Sequence, residues 1–117
     1  MLRPKFKKKN IFKINKITKN SGWCDDIRSN YYNKYIKINN FQSSNLNYEK
    51  LLREYEAYDI IIVTSHNTKP TIKNKGSAIF IHCSFSDNRN TAGCIALGKK
   101  NLVFLLKKLE YNSYIKI

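Results

Sequence analysis

An uncharged apolar run in the second half of this 117-residue chain constrains its fold more than any other feature. Residues 77–83 (SAIFIHC) follow a glycine and contain consecutive large apolar side chains, which predicts a buried β-strand. Because side chains alternate along a strand, His82 should share a face with Phe80 and Ala78, and Cys83 should point to the opposite face. A polar loop follows this strand, and the chain then returns to apolar residues.

A cysteine-containing turn, residues 91–94 (TAGC), ends that loop. Its thiol, on Cys94, meets the imidazole of His82 if the loop doubles back, and an imidazole can take the proton of a thiol. Gly93 permits close backbone approach, and N–H groups at such a turn can face a developing oxyanion. A cysteine nucleophile with a histidine base is one interpretation. The spacing taken alone favours the other, an ordinary buried cysteine and a core histidine.

The strand, the loop and the turn resemble the active-site block of the YkuD-type L,D-transpeptidases, which have a strand-borne histidine followed by a Ser/Thr-x-Gly-Cys turn. Further blocks are similar, in the same order, to a compact bacterial branch of that family: residues 22–26 (GWCDD), 32–33 (YN), 58–63 (YDIIIV) and 76–82 (GSAIFIH). The similarity runs over residues 23–106. Ala92 departs from the pattern, because the best-known version of the motif has a second histidine there.

This resemblance implies a cysteine-dependent acyltransferase that acts on peptidoglycan stem peptides in bacterial cell-wall cross-linking or remodelling, and thereby in cell shape. Cys94 would form a thioester, His82 would be the base, Gly93 would help to hold the oxyanion, and Thr91 would shape the turn. An acceptor amine would resolve the thioester, and water in its place would make the enzyme a hydrolase. No cofactor is implied.

Three residues are predicted to bind the substrate. Arg89, in the loop beside the thiol, can pair with a substrate carboxylate or remain a solvated loop charge. Trp23 belongs to a block that lies near the catalytic region in the family, and is otherwise a core or cleft anchor. Asp25 can hold a substrate amine if it faces the cleft, or cap a turn. His66 is a second, weaker candidate for the base.

The sequence patterns predict an α+β domain in which a mainly antiparallel or mixed β-sheet carries two packed helices. The β-branched run at residues 59–64 predicts a central strand, and the alternation at residues 33–39 predicts a short one. Helices are predicted at residues 44–57 and 98–111, because apolar side chains recur there at helical spacing. The resemblance implies a β-sandwich or partial barrel.

The chain is predicted to consist of a basic leading segment, residues 1–21, and a catalytic domain, residues 22–117. Short strands are expected at residues 12–15 and 114–117, where apolar and polar residues alternate. The formal net charge is +14, and the first twenty residues hold eight Lys or Arg and no acid. Such a charge suggests a polyanion partner, although the heavy use of Lys, Asn and Ile throughout favours compositional drift.

An anionic cell-wall polymer is the partner expected for this basic segment, and nucleic acid is not expected. The alternative function is an inactive remnant, or a basic module that binds cell-wall polyanion or nucleic acid. Three cysteines without a CxxC pair argue against a disulfide framework and against a metal site. No transmembrane run or signal-peptide pattern is found, so the family implies the cell envelope while the sequence leaves a cytoplasmic location open.

We expect this chain to be a shortened form of the domain, because family members carry further strands before the block at residues 22–26. Each core residue left uncovered would forgo about 1.5–3 kcal/mol, against a net stability of about 5–15 kcal/mol. The chain alone should therefore be marginally stable, with an exposed apolar patch or an open sheet edge. Thermal unfolding at low concentration tests this, and a monomer with a sharp transition above about 60 °C would contradict it.

Overall fold

The computed structural model describes residues 14–84, 91, 93–110 and 113–115. Six short strands, one α-helix and two 3₁₀ helices form its regular structure. The strands are β1 Ser21–Cys24, β2 Lys34–Lys37, β3 Tyr48–Lys50, β4 Ile61–Val63, β5 Phe80–Cys83 and β6 Ile95–Leu97. The helix α1 is Lys99–Lys108, and the 3₁₀ helices are Ile38–Phe41 and Glu56–Tyr58.

The first sheet has the order β2-β1-β3, and both of its pairings are antiparallel. Trp23, in the middle strand, lies opposite Tyr35 on one side and Glu49 on the other. The pairing of β1 with β3 continues beyond the strand, because the Leu51 amide donates to the Ser21 carbonyl. All four residues of β1 are buried, so this strand is the part of the first sheet that faces the interior.

The second sheet has the order β4-β5-β6 and mixes the two kinds of pairing. Strand β5 runs antiparallel to β4, with Ile62 opposite Ile81, and parallel to β6, with His82 beside Ala96. A parallel partner requires the chain to cross back after β5. The chain therefore enters β6 at Ile95, beside Ile81 near the start of β5, as the cysteine–histidine hypothesis requires.

Strand β5 separates two apolar clusters. On one side lie Ala78 and Phe80 with residues from the first sheet and from β4: Trp23, Leu51 and Ile61. On the other side lie Ile81 and Cys83, with residues from before β4 and from α1: Ile60 and Leu102. The predicted alternation is thus confirmed within β5, and the first sheet and α1 cover opposite faces of the second sheet.

The helix predicted at residues 44–57 is wrong. Residues 48–50 instead form β3 against β1, and only the last turn of the segment, Glu56–Tyr58, is 3₁₀. Of the apolar residues at helical spacing in this segment, Leu51 is buried, whereas Leu52 and Tyr55 are about half exposed. Pairing with β1 satisfies the backbone here and buries Leu51 beneath Trp23, and this tertiary gain outweighs the weak helical preference of the segment.

The fold class is α+β, but the prediction of two packed helices is wrong, since α1 is the one α-helix in the described residues. The helix predicted at residues 98–111 is confirmed as α1, with Leu102 fully buried. The strand predicted at residues 33–39 is confirmed over residues 34–37 as β2, and residues 38–39 instead begin a 3₁₀ helix. None of the helices in the described part of the chain has the length and apolar character needed to cross a membrane.

Three strand predictions need correction. The run at residues 59–64 gives β4, which lies at an edge of its sheet and not at its centre. Residues 77–79 precede β5 as irregular backbone, because Ala78 has a positive φ of 56°. Residues 14–15 and 114–115 lie outside any strand, and the remaining residues of the two predicted terminal strands lie outside the described residues.

Asp26 organises the turn that follows β1. Its carboxylate accepts hydrogen bonds from the Arg28 amide (2.9 Å), the Arg28 guanidinium (2.8 Å) and the Asn47 amide (3.1 Å). The side chain of Asp26 is 3% exposed, whereas that of Arg28 is 67% exposed. The Arg28 side chain, followed by these two amides, holds the pKa of Asp26 well below its usual value.

Asp26 should therefore make folding sensitive to acid. A carboxyl whose pKa is lowered in the folded state contributes stability above its ordinary pKa of 3.8, and this contribution is lost as pH falls through the folded-state value. Asp26→Ala should lower the melting temperature at pH 7 and flatten its dependence on pH below about 5. The exposed neighbour Asp25 is the control, since Asp25→Ala should leave both quantities near wild type. Equal effects of the two variants would contradict this account.

Candidate active site

Cys94 and His82 are carried by neighbouring strands of the second sheet. Cys94 immediately precedes β6, and the first residue of β6, Ile95, lies beside Ile81 of β5. Cys94 is therefore level with Phe80, and the Phe80 amide lies 3.5 Å from its sulfur. Residues two apart on a strand share a face, so His82 is on the face that carries the thiol, about 6.6 Å further along the strand direction.

The thiol of Cys94 rests on backbone groups at the start of β5. Its sulfur donates to the Ala78 carbonyl at 3.1 Å, while the Phe80 amide donates to the sulfur. Burial raises the pKa of Cys94, the Phe80 amide opposes this, and the charge of Glu49 adds to it. At neutral pH the resting thiol is therefore protonated, and it needs a base before it can act as a nucleophile.

His82 is 2% exposed, and its orientation identifies the nitrogen that can act as this base. The Nδ1 atom lies 2.7 Å from the Cys83 carbonyl oxygen. A carbonyl only accepts hydrogen bonds, so in the neutral imidazole this contact places the proton on Nδ1 and the lone pair on Nε2. A neutral imidazole with its lone pair on Nε2 is the form that a general base requires.

Tyr58 packs between these two groups and the first sheet. Its ring lies edge-on to His82 and to Phe80, with centroid distances of 5.4 and 6.1 Å. Its hydroxyl donates to Glu49 in a short hydrogen bond. Burial, followed by Glu49, raises the pKa of Tyr58 well above its usual value, and the charge of Cys94 contributes to this rise. Tyr58 therefore stays protonated and serves as a fixed apolar wall beside the imidazole.

Arg53 completes this wall. Its guanidinium pairs with Glu49 at 2.9 Å and lies over the Tyr58 ring, 5.0 Å from its centroid. The sequence patterns did not indicate these three residues, because Glu49 and Arg53 fall within residues 44–57, where the predicted helix does not form. One sequence feature could have indicated Tyr58: it is the first residue of the YDIIIV block, residues 58–63, that resembles the family.

The turn that carries the thiol is held by its first residue. The Thr91 hydroxyl donates to the Cys94 carbonyl across the turn, and the role of Thr91 in shaping the site stays a prediction. Gly93 has a φ of 104°, and a Cβ added there would lie 3.3 Å from Ile79 Cδ1. Both the backbone angle and the space favour glycine at this position. Ala92 lies outside the described residues.

The predicted substrate-binding residues lie in different surroundings. Trp23 is in the apolar cluster that also contacts Cys94, and its indole N–H donates to Asn33 Oδ1 at 3.1 Å. Its place is thus that of a core anchor, and substrate contact remains a prediction. Arg89 lies outside the described residues. His66, the second candidate base, lies beside the Lys75 carbonyl (3.1 Å) in the loop between β4 and β5.

Asp25 lines an open groove of about 780 Å³ on the first sheet. The other lining residues come from β3 and the segment after it: Tyr48, Glu49, Lys50, Leu52, Arg53, Glu54 and Tyr55. Neither Cys94 nor His82 is among these lining residues. Glu49, which is, bonds to Tyr58, whose ring lies beside His82. Over the described residues, no group of three or more His, Cys, Asp or Glu is arranged to hold a metal ion.

Comparison with known proteins agrees with the sequence resemblance. The model of the YkuD family, described as the L,D-transpeptidase catalytic domain, matches residues 10–117, which is nearly the whole chain. No curated protein and no solved structure matched it. A match of this extent includes the strand of His82, the turn of Cys94 and the first sheet. The chain belongs to the YkuD family of L,D-transpeptidase catalytic domains.

Proposed function

We propose that this protein is an L,D-transpeptidase that transfers the acyl group of a peptidoglycan stem peptide through a thioester on Cys94. The observation that carries the proposal is the position of the thiol, at the start of β6 and beside β5, on the face that carries His82. Family membership supplies the reaction class. The geometry supports these two side chains as nucleophile and base.

Acylation begins when the thiol leaves the Ala78 carbonyl and gives its proton to Nε2 of His82. The sulfur attacks the carbonyl carbon that precedes the terminal D-amino acid of the donor, and a C–S bond forms. The C–N bond then breaks, the leaving amine takes the proton from His82, and a thioester remains. An acceptor amine resolves this thioester by the reverse sequence, and water in its place gives hydrolysis.

Two backbone amides are assigned to the tetrahedral intermediate. The N–H groups of Gly93 and Cys94 lie in the turn that Thr91 closes, and donors fixed before the reaction stabilise an oxyanion at no cost in reorganisation. Substrate binding is assigned to Arg89 for a carboxylate, to Asp25 for an amine, and to Trp23. The exposure of Asp25 along an open groove supports a polar subsite there.

The site of action follows from the substrate. The YkuD family acts on peptidoglycan peptides and is typically associated with the cell envelope, so we assign this protein to the envelope. The basic residues of segment 1–21 are assigned to contact with an anionic cell-wall polymer, for which the formal charge of +14 is favourable.

Cys94 should form a covalent adduct with a stem peptide that ends in a D-amino acid. Intact-mass spectrometry should show the mass of the acyl group on the protein together with release of the D-amino acid, and peptide mapping should place the adduct on Cys94. Cys94→Ala should give no adduct. Cys24 and Cys83 should remain unmodified, because they are 0% and 2% exposed.

A folded protein that forms no adduct, or modifies all three cysteines equally, would reject the transpeptidase. The alternative of an inactive remnant or a basic binding module makes the opposite prediction. In that case Cys94→Ala would retain all measurable function, including any binding to a cell-wall polyanion.

Replacement of the base should slow formation of this adduct. His82→Ala should reduce the rate of Cys94 acylation by roughly 10²–10⁴-fold, because no neutral imidazole remains to take the thiol proton. His66→Ala is the matched control, since His66 contacts the loop carbonyl of Lys75, and its rate should be close to wild type. A larger loss in His66→Ala than in His82→Ala would show that His66 is the base.

A further inference from the structure

The side chain of Asn33 connects the first sheet to the backbone that receives the catalytic thiol. Asn33 is 5% exposed and follows the turn after β1. The hydrogen bonds of its side-chain amide run to residues other than Cys94 and His82. We propose that Asn33 is a positioning residue for the Cys94 thiol and acts through the backbone of Ala78.

The amide of Asn33 uses its full hydrogen-bonding capacity. Its Oδ1 accepts from the Trp23 indole and from the Ala78 amide, both at 3.1 Å. Its Nδ2 donates to the carbonyls of His66 and Asn67, at 3.1 and 2.8 Å. A side-chain amide has two lone pairs and two N–H bonds, so all four positions are occupied and the group has one orientation.

Ala78 needs such an anchor because its backbone is strained. Its φ is 56°, a value that residues other than glycine rarely adopt and that persists only where surrounding contacts enforce it. Asn33 holds the amide of Ala78 on one side. On the other side, the Thr64 hydroxyl donates to the Ile79 carbonyl at 2.6 Å. Between these two anchors the Ala78 carbonyl is directed at the sulfur of Cys94, 3.1 Å away.

The two backbone contacts of the thiol depend on different anchors. Phe80, whose amide donates to the sulfur and favours the thiolate, is fixed by its pairing with Val63 across β4 and β5. The Ala78 carbonyl accepts from the neutral thiol and favours the protonated form. Loss of the Asn33 side chain releases the second contact and leaves the first. The thiol should then deprotonate at a lower pH.

Other ionisable groups around the thiol do not depend on Asn33. Glu49, with its partner Arg53, reaches the site from β3 and the segment after it, Tyr58 from the 3₁₀ helix, and His82 from β5. The hydrogen bonds described for the Asn33 side chain run to other residues. The inference rests on the proposed function only in that Cys94 is its nucleophile.

A matched pair of glycine substitutions tests the proposal. Asn33 and Asn67 have φ values of 57° and 54°, which glycine adopts without strain, so each substitution removes only side-chain bonds. The rate of Cys94 alkylation by iodoacetamide, measured against pH with peptide mapping, gives the midpoint of thiol ionisation. In Asn33→Gly this midpoint should fall by about 0.5–1 pH unit, the shift expected for one lost hydrogen bond.

Asn67→Gly should retain the wild-type midpoint, although it loses bonds to the backbone of Ile72 and Gly76. A wild-type midpoint in folded Asn33→Gly, or an equal shift in Asn67→Gly, would overturn the proposal. If Asn33→Gly does not fold, hydrogen exchange of the wild-type protein decides. The Ala78 amide should be as protected as the amides of β5, and exchange at the rate of an exposed loop amide would overturn the proposal.

Alkylation by iodoacetamide requires no stem peptide, so the two proposals can fail separately. A protein that shows the shifted midpoint in Asn33→Gly but forms no thioester with a stem peptide would reject the transpeptidase and support the role of Asn33. A protein that forms the thioester and shows no shift of the midpoint in Asn33→Gly would support the transpeptidase and reject the role of Asn33.

Discussion

Phe80 and Ile81 are adjacent residues whose side chains enter two different apolar clusters, and the rest of the structure depends on that division. The first sheet must cover Phe80, and α1 must cover Ile81. Burial of both faces of β5 contributes about 1.5–3 kcal/mol for each large apolar side chain. The edge-to-face contact of Trp23 with Phe80, at a centroid distance of 5.0 Å, joins the two sheets. All four residues of the strand that carries the candidate base are thus buried.

Burial of this strand and its surroundings disfavours the charged form of the thiol beside it. A cysteine beside this cluster loses solvation as a thiolate, and burial raises the pKa of Cys94 accordingly. The structure offers the sulfur one backbone donor and one backbone acceptor, and it offers a histidine whose Nδ1 is committed to the Cys83 carbonyl. A base of fixed tautomer near a protonated thiol is the arrangement in which proton transfer can accompany attack on a substrate carbonyl.

Local sequence patterns predicted those parts of the fold whose apolar pattern is compatible with only one kind of secondary structure. The uncharged run that ends at Cys83 had to be buried, and alternation assigned its faces correctly. The apolar stripe of α1 had to face the core, and Leu102 does. The segment at residues 44–57 was predicted wrongly, because helical spacing and a β-strand followed by a turn can place the same apolar residues in a sequence. Pairing with β1 decides between them, and that partner lies some twenty-five residues earlier in the chain.

The sequence by itself determined the chemical groups of the candidate site: a thiol in a glycine turn, an imidazole at the end of a buried strand, and a strong resemblance to one family. Only the tertiary structure decided how these groups are held. Because β3 forms, Glu49 and Arg53 meet Tyr58, whose ring lies beside the imidazole. The backbone at Ala78 faces the sulfur, and Asn33 reaches that backbone from forty-five residues away. Such contacts arise from the packing of one sheet against another, and no periodicity in the chain encodes them. Residue type specifies what a side chain can donate or accept, whereas the fold specifies which partner it meets.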